Sequence, residues 1–120
     1  MSGKVIVIGQ SNVSRDILAG IVKRLGFEKN RFEFCLEYED AVKFNFKKTQ
    51  YSQQYTCILV GAMPHSGRAK DEYSSVIAAL ENEPGYPPVY RMGLGEGLKI
   101  TKTSFSSTLE ELVEKGVLAA

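Results

Sequence analysis

The chain has 120 residues, of which 43% are hydrophobic and 24% charged, and its 15 Lys and Arg against 14 Asp and Glu leave a net charge of +1. That composition excludes a disordered or collagen-like chain. It also carries no global electrostatic footprint for DNA or RNA, so nucleic acid is not an expected partner. The length suits a single domain over 1–120, large enough to bury a core without disulfide or metal staples.

Val5 to Ile8 is a continuous β-branched run, the pattern of a strand buried on both faces. It is too short for a signal peptide, and no run reaches membrane-spanning length, so no membrane partner is expected and the cytoplasm is the default location. Val13, Ile17, Leu18, Ile21, Val22 and Leu25 then trace one face of a helix. Ser11 or Asn12 is placed to cap its first turn, and Gly26 stands where a left-handed terminator belongs. Arg31 to Leu36 predicts a second strand, with Phe32, Phe34 and Leu36 alternating with Glu33 and Cys35.

A second helix is predicted over Asp40–Thr49, carrying Ala41, Val42, Phe44 and Phe46. Polar Tyr51 to Tyr55 reads as loop, and Thr56 to Val60 as another solid strand ended by Gly61. Ala62 to Lys70 is a loop punctuated by Pro64 and Gly67. A third helix follows over Asp71–Asn82 with Tyr73, Val76, Ile77 and Leu80 inward, and Pro84-Gly85 breaks it. Val89 to Met92 is a short strand, and Leu98 to Thr101 a candidate fifth. Ser107 to Glu110 has the form of a capping box opening the last helix, which Gly116 ends.

Alternation of this kind predicts an α/β domain of small three-layer Rossmann-like (flavodoxin-like) type, with a four- or five-stranded, mainly parallel sheet. In such sheets ligands collect beyond the carboxyl ends of the strands. Three connections are expected there: Gly9 to Asn12, Gly61 to Lys70, and Gly93 to Gly97. Each begins with a glycine, which lets a ligand or another backbone approach closely. The first feeds a helix N-terminus, whose free N–H groups favour an anion.

The candidate ligand-binding residues are therefore Gly9, Gln10, Ser11, Asn12, Ser14, His65, Ser66, Arg68, Gly93 and Gly95. Helix capping for the first loop, and solvated surface charge for Arg68 and Lys70, are the competing explanations. His65 is the only histidine and has no second His or cysteine pair at ligand spacing, so no metal site and no cofactor are expected. Cys35 and Cys57 sit in apolar runs and read as reduced, buried side chains.

Gly9-Gln-Ser-Asn12 after a strand resembles the first block of SGNH-type esterases, which implies a nucleophilic role for Ser11. The block covers four residues; those enzymes also use a later Asp-x-x-His, and here the histidine stands in Pro64-His65-Ser66. The size and alternation also look like a response-regulator receiver. Gln10 and Ser11 stand where a receiver has its acidic pair, and Gly61-Ala62 where it has its phosphoacceptor. Neither the P-loop pattern nor Gly-x-Gly-x-x-Gly is present.

Binding without chemistry is the expectation, since no nucleophile, base and orienter assemble from these residues. The expected ligand is an anionic small molecule, a nucleotide or another phosphorylated metabolite. The alternative is a protein-interaction or self-association module, as a homodimer, using Tyr86, Pro87, Pro88 and Tyr90. The third reading is a small hydrolase using Ser11 and His65.

Overall fold

The computed structural model describes residues 3–9, 11, 13–37, 44–61, 68–92 and 100–119, with the backbone alone described over 68–74. Four strands form one all-parallel sheet: β1 (Lys4–Ile8), β2 (Phe32–Cys35), β3 (Tyr55–Val60) and β4 (Val89–Arg91), in the spatial order β2-β1-β3-β4. Among the described residues, the α-helices that accompany them are α1 (Arg15–Arg24), α2 (Arg68–Asn82) and α3 (Lys102–Glu114). The predicted Rossmann-like, flavodoxin-like α/β architecture is what the chain adopts.

The two faces of the sheet carry separate cores. Val5, Val7, Cys57 and Leu59 pack with Leu18, Ile21 and Val22 of α1 and with Phe105, Leu109 and Leu112 of α3. Ile6, Ile8, Ile58 and Val60 pack with Phe46 and with Ile77 and Leu80 of α2. The solid apolar runs of β1 and β3 follow from this arrangement, because central strands meet a helix layer on each face.

Helix α1 starts later than its apolar pattern. Ser14 caps it, accepting from Ile17 N–H at 3.3 Å, while the Ser11 hydroxyl bonds to the backbone of Val13. Ser11 is therefore not the cap, and Asn12 lies outside the described residues. Gly26 terminates α1 as predicted. At φ 92 it donates to Lys23 O, while Phe27 N–H reaches Val22 O, which satisfies two end carbonyls.

Gly20 is exposed in the middle of α1, and nothing lies within 4 Å of a Cβ added there. Gly20→Ala is accordingly expected to stabilise the fold by about 0.5–1 kcal/mol. Thermal unfolding followed by circular dichroism checks this; an unchanged or lower Tm would contradict it.

Three sequence expectations change. The predicted second helix is, over its described part, a 3-10 turn at Phe46–Thr49. The rings of Phe44 and Phe46 pack together, 4.6 Å apart, and both meet the same core. Residues two apart on an α-helix face different directions, so this packing is incompatible with one. The last helix starts at Lys102, and its capping box is Thr101 with Ser104, not Ser107 with Glu110. Buried Phe105 extends the apolar stripe of Leu109 and Leu112 back by one turn and places Ser107 inside the helix. The candidate fifth strand reduces, over its described part, to Ile100, which makes a single parallel bridge to Ser11.

The β4 edge is short and guarded. Arg91 donates twice to Glu81 on α2, at 2.9 and 2.7 Å, which holds the Glu81 carboxyl below its ordinary range. Among the described residues no helix is long and apolar enough to cross a membrane.

Candidate functional site

Strand order places the topological switch between β1 and β3. The chain leaves β1 to reach β2 on one side, and β3 to reach β4 on the other. At this point two backbones meet. Gly61 N–H donates to Ile8 O at 2.8 Å, and Gly9 N–H donates to Cys35 O at 3.1 Å. Gly9 has φ 138, and a Cβ there would stand 2.9 Å from Gly61 Cα. A Cβ on Gly61 would stand 2.5 Å from Cγ1 of Ile100, whose side chain is 1% exposed. The glycines at this edge thus have a packing reason. They let β1, β3 and the entry to α3 close on one another.

The nominated residues are distributed as follows. Gly9 lies at the seam, and Ser11 beside it, bridged to Ile100. The Ser11 hydroxyl donates to Val13 O at 2.7 Å and accepts from Val13 N–H at 3.1 Å. A nucleophilic serine gives its proton to a base; here the proton is held by a local carbonyl. Ser14 is the cap of α1. Arg68 lies in α2, with only its backbone described. Gln10, Asn12, His65, Ser66, Gly93 and Gly95 lie outside the described residues.

The alternative surface also resolves. Tyr86 packs against the core on the α2 face and Tyr90 against the core on the α1 and α3 face, so the two rings do not share one patch.

A different feature stands out at the β2 edge. A groove of about 840 Å³ runs along the strand, with Arg15 and Ala19 of α1 on one side and Phe44 on the other. Phe32 and Phe34 line its base, and Lys29 stands near the amino end of the strand. Arg15 crosses to donate to Phe34 O at 3.0 Å. Glu33 also lines the groove, and its carboxylate meets Lys4 at 3.3 Å and Lys48 at 3.8 Å. None of these residues was nominated from the sequence. The available signal was the alternation Phe32, Glu33, Phe34, Cys35, which marks a strand with one open side beside the solid runs of β1 and β3.

The cysteines take no part in a shared site. Cys35 belongs to one core and Cys57 to the other, with the sheet between them, and neither is in a disulfide. Burial pushes the Cys57 thiol up to about 12, so it stays protonated and unreactive at neutral pH. Among the described residues no three His, Cys, Asp or Glu side chains form a group able to hold a metal ion. Fold and strand order define the class, a small parallel α/β domain with its switch point between β1 and β3. In comparisons with protein families, curated protein sequences and solved structures, nothing matches the chain.

Proposed function

We propose that this chain is a small cytoplasmic Rossmann-like binding module that takes an anionic ligand, a nucleotide or another phosphorylated metabolite, at the carboxyl ends of its strands. One observation carries the reading. The two helices that follow β1 and β3 both lie beyond the carboxyl ends of those strands, at the switch point; α1 opens on Arg15, and Arg68 lies in the described part of α2. A helix N-terminus already carries partial positive charge, so a cation in its first turn is disfavoured. Asp16 offsets this in α1. A bound phosphate or carboxylate at this edge would add to that offset.

The test is calorimetry of the folded protein against a panel of nucleoside monophosphates, nucleoside triphosphates and inorganic phosphate. The Ser11→Ala, Arg68→Ala double variant is expected to bind about tenfold more weakly, or about 1.4 kcal/mol. Unchanged affinity in the double variant would sink the site assignment. No binding of any panel member by the unaltered protein would sink the reading itself.

A further inference from the structure

The edge of β2 offers an unusual set of backbone groups. Cys35 O accepts from Gly9 N–H on β1, and backbone groups of successive strand residues point to opposite sides. Phe32 and Phe34 therefore direct their N–H and C=O groups outward, into the groove. Two of these four groups are taken. Phe32 N–H donates to Lys29 O in the 3-10 turn Lys29–Arg31, and Phe34 O accepts from Arg15. The groups that face the groove are Phe32 C=O and Phe34 N–H.

This pair has a directional meaning. One residue of a strand running parallel to β2, placed opposite Glu33, would donate its N–H to Phe32 C=O and accept from Phe34 N–H through its C=O. A parallel ladder uses such a residue at each bridge and needs neither of the two blocked groups. Antiparallel pairing opposes Phe34 to a residue that must also donate to Phe34 O, which Arg15 occupies. Two copies of this chain related by a two-fold axis would pair their β2 strands antiparallel. That arrangement would set the Arg15 of each copy against the Lys29 turn of the other, with cation facing cation.

We propose that the β2 edge is a docking slot for an extended acidic peptide of a partner protein, added as a fifth strand parallel to β2. Main-chain bonds supply such recognition, and side chains on alternate positions supply its specificity. Ala19 and Phe34 would receive apolar side chains on the α1 side, and Phe44 on the other. Among the described residues, Arg15 and Lys29 are the cations lining the slot. Among the described residues its lining carboxylate is Glu33, already bridged by Lys4 and Lys48. An acidic residue flanking the apolar stretch is the complement. The slot and the switch-point site share Arg15, which opens α1, whereas Lys29 lies at the other end of β2 and belongs to the slot alone.

The test selects a displayed library of random seven-residue peptides on the folded protein and measures amide hydrogen exchange by NMR with the peptides recovered. The expected result is enrichment of sequences with apolar residues at alternate positions and an acidic flank. The recovered peptides should slow exchange of the Phe34 amide at least tenfold. Lys29→Glu should weaken their binding about tenfold while leaving the calorimetric response to nucleotides and phosphate as it is in the unaltered protein. Absence of enrichment, enrichment without acidic bias, or a Phe34 amide that exchanges as fast with peptide as without it would each overturn the proposal. So would concentration-dependent protection of Phe34 without peptide, accompanied by a dimer in light scattering, which would assign the edge to self-pairing.

Discussion

Gly9→Ala is expected to lower the unfolding free energy by about 3 kcal/mol, from two separable causes. The first is conformational. Gly9 has φ 138, where an L-residue is strained by about 1–3 kcal/mol. The second is steric. The new methyl group would lie 2.9 Å from the Cα and carbonyl carbon of Gly61, and both belong to backbone anchored by β3. Backbone cannot yield as a side chain does, so over-packing adds about 1–3 kcal/mol.

Denaturant unfolding by circular dichroism measures the loss. Gly61→Ala provides the internal contrast. There the close neighbour is the Ile100 side chain, whose Cγ1 and Cδ1 are both removed in Ile100→Ala, so the Gly61→Ala, Ile100→Ala double variant should lose less stability than the two single losses summed. A Gly9→Ala protein as stable as the original would mean that the seam is looser than its geometry, and would return these glycines to a purely ligand-related reading.

Phe105→Ala is expected to cost about 3–5 kcal/mol. Phe105 is fully buried on α3, and its ring meets Phe32 edge-on at 6.2 Å and Phe34 at 6.1 Å. Truncation would leave a cavity beneath β2, which among the described residues pairs on one side only, and would remove aromatic contacts worth more than their buried area alone. Among the described residues helix α3 leads into no further strand, and it is held by this packing together with its burial against α1 and the Val5, Val7, Cys57 and Leu59 face of the sheet. The same variant should speed amide exchange at Phe34, because the ring clamps the edge strand from inside. A loss under about 1 kcal/mol would show that the cavity collapses without penalty.

The parts of the fold legible in the chain are those set by local pattern. Val5–Ile8 and Thr56–Val60 read as central strands because both of their faces are apolar, and both are central. Gly26 and Gly116 marked helix ends because a left-handed residue satisfies the last carbonyls. Misreadings arose where pattern and packing diverged. Phe44 and Phe46 resembled helix content, yet both rings meet one core from a turn. Ser107 to Glu110 matched a capping box, yet Phe105 drew the helix start back to Lys102.

The loop that follows β1 illustrates the same division at the candidate site. Sequence alone determined that Gly9 and Gly61 end strands and that a polar turn leads into a helix, because β-branched runs, glycine and serine have strong local preferences. It also determined the alternating layers and parallel sheet, since strand-helix-strand units close in few ways. Only the tertiary structure decided that the two glycines touch each other, with Ile100 against Gly61. Only it decided that Ser14 and not Ser11 caps the helix, and that β2 lies at an edge with Arg15 on its outer carbonyl. Strand order and backbone approach depend on contacts between residues far apart in the chain. A one-dimensional pattern carries the preference of each segment, but not the neighbour against which that segment comes to rest.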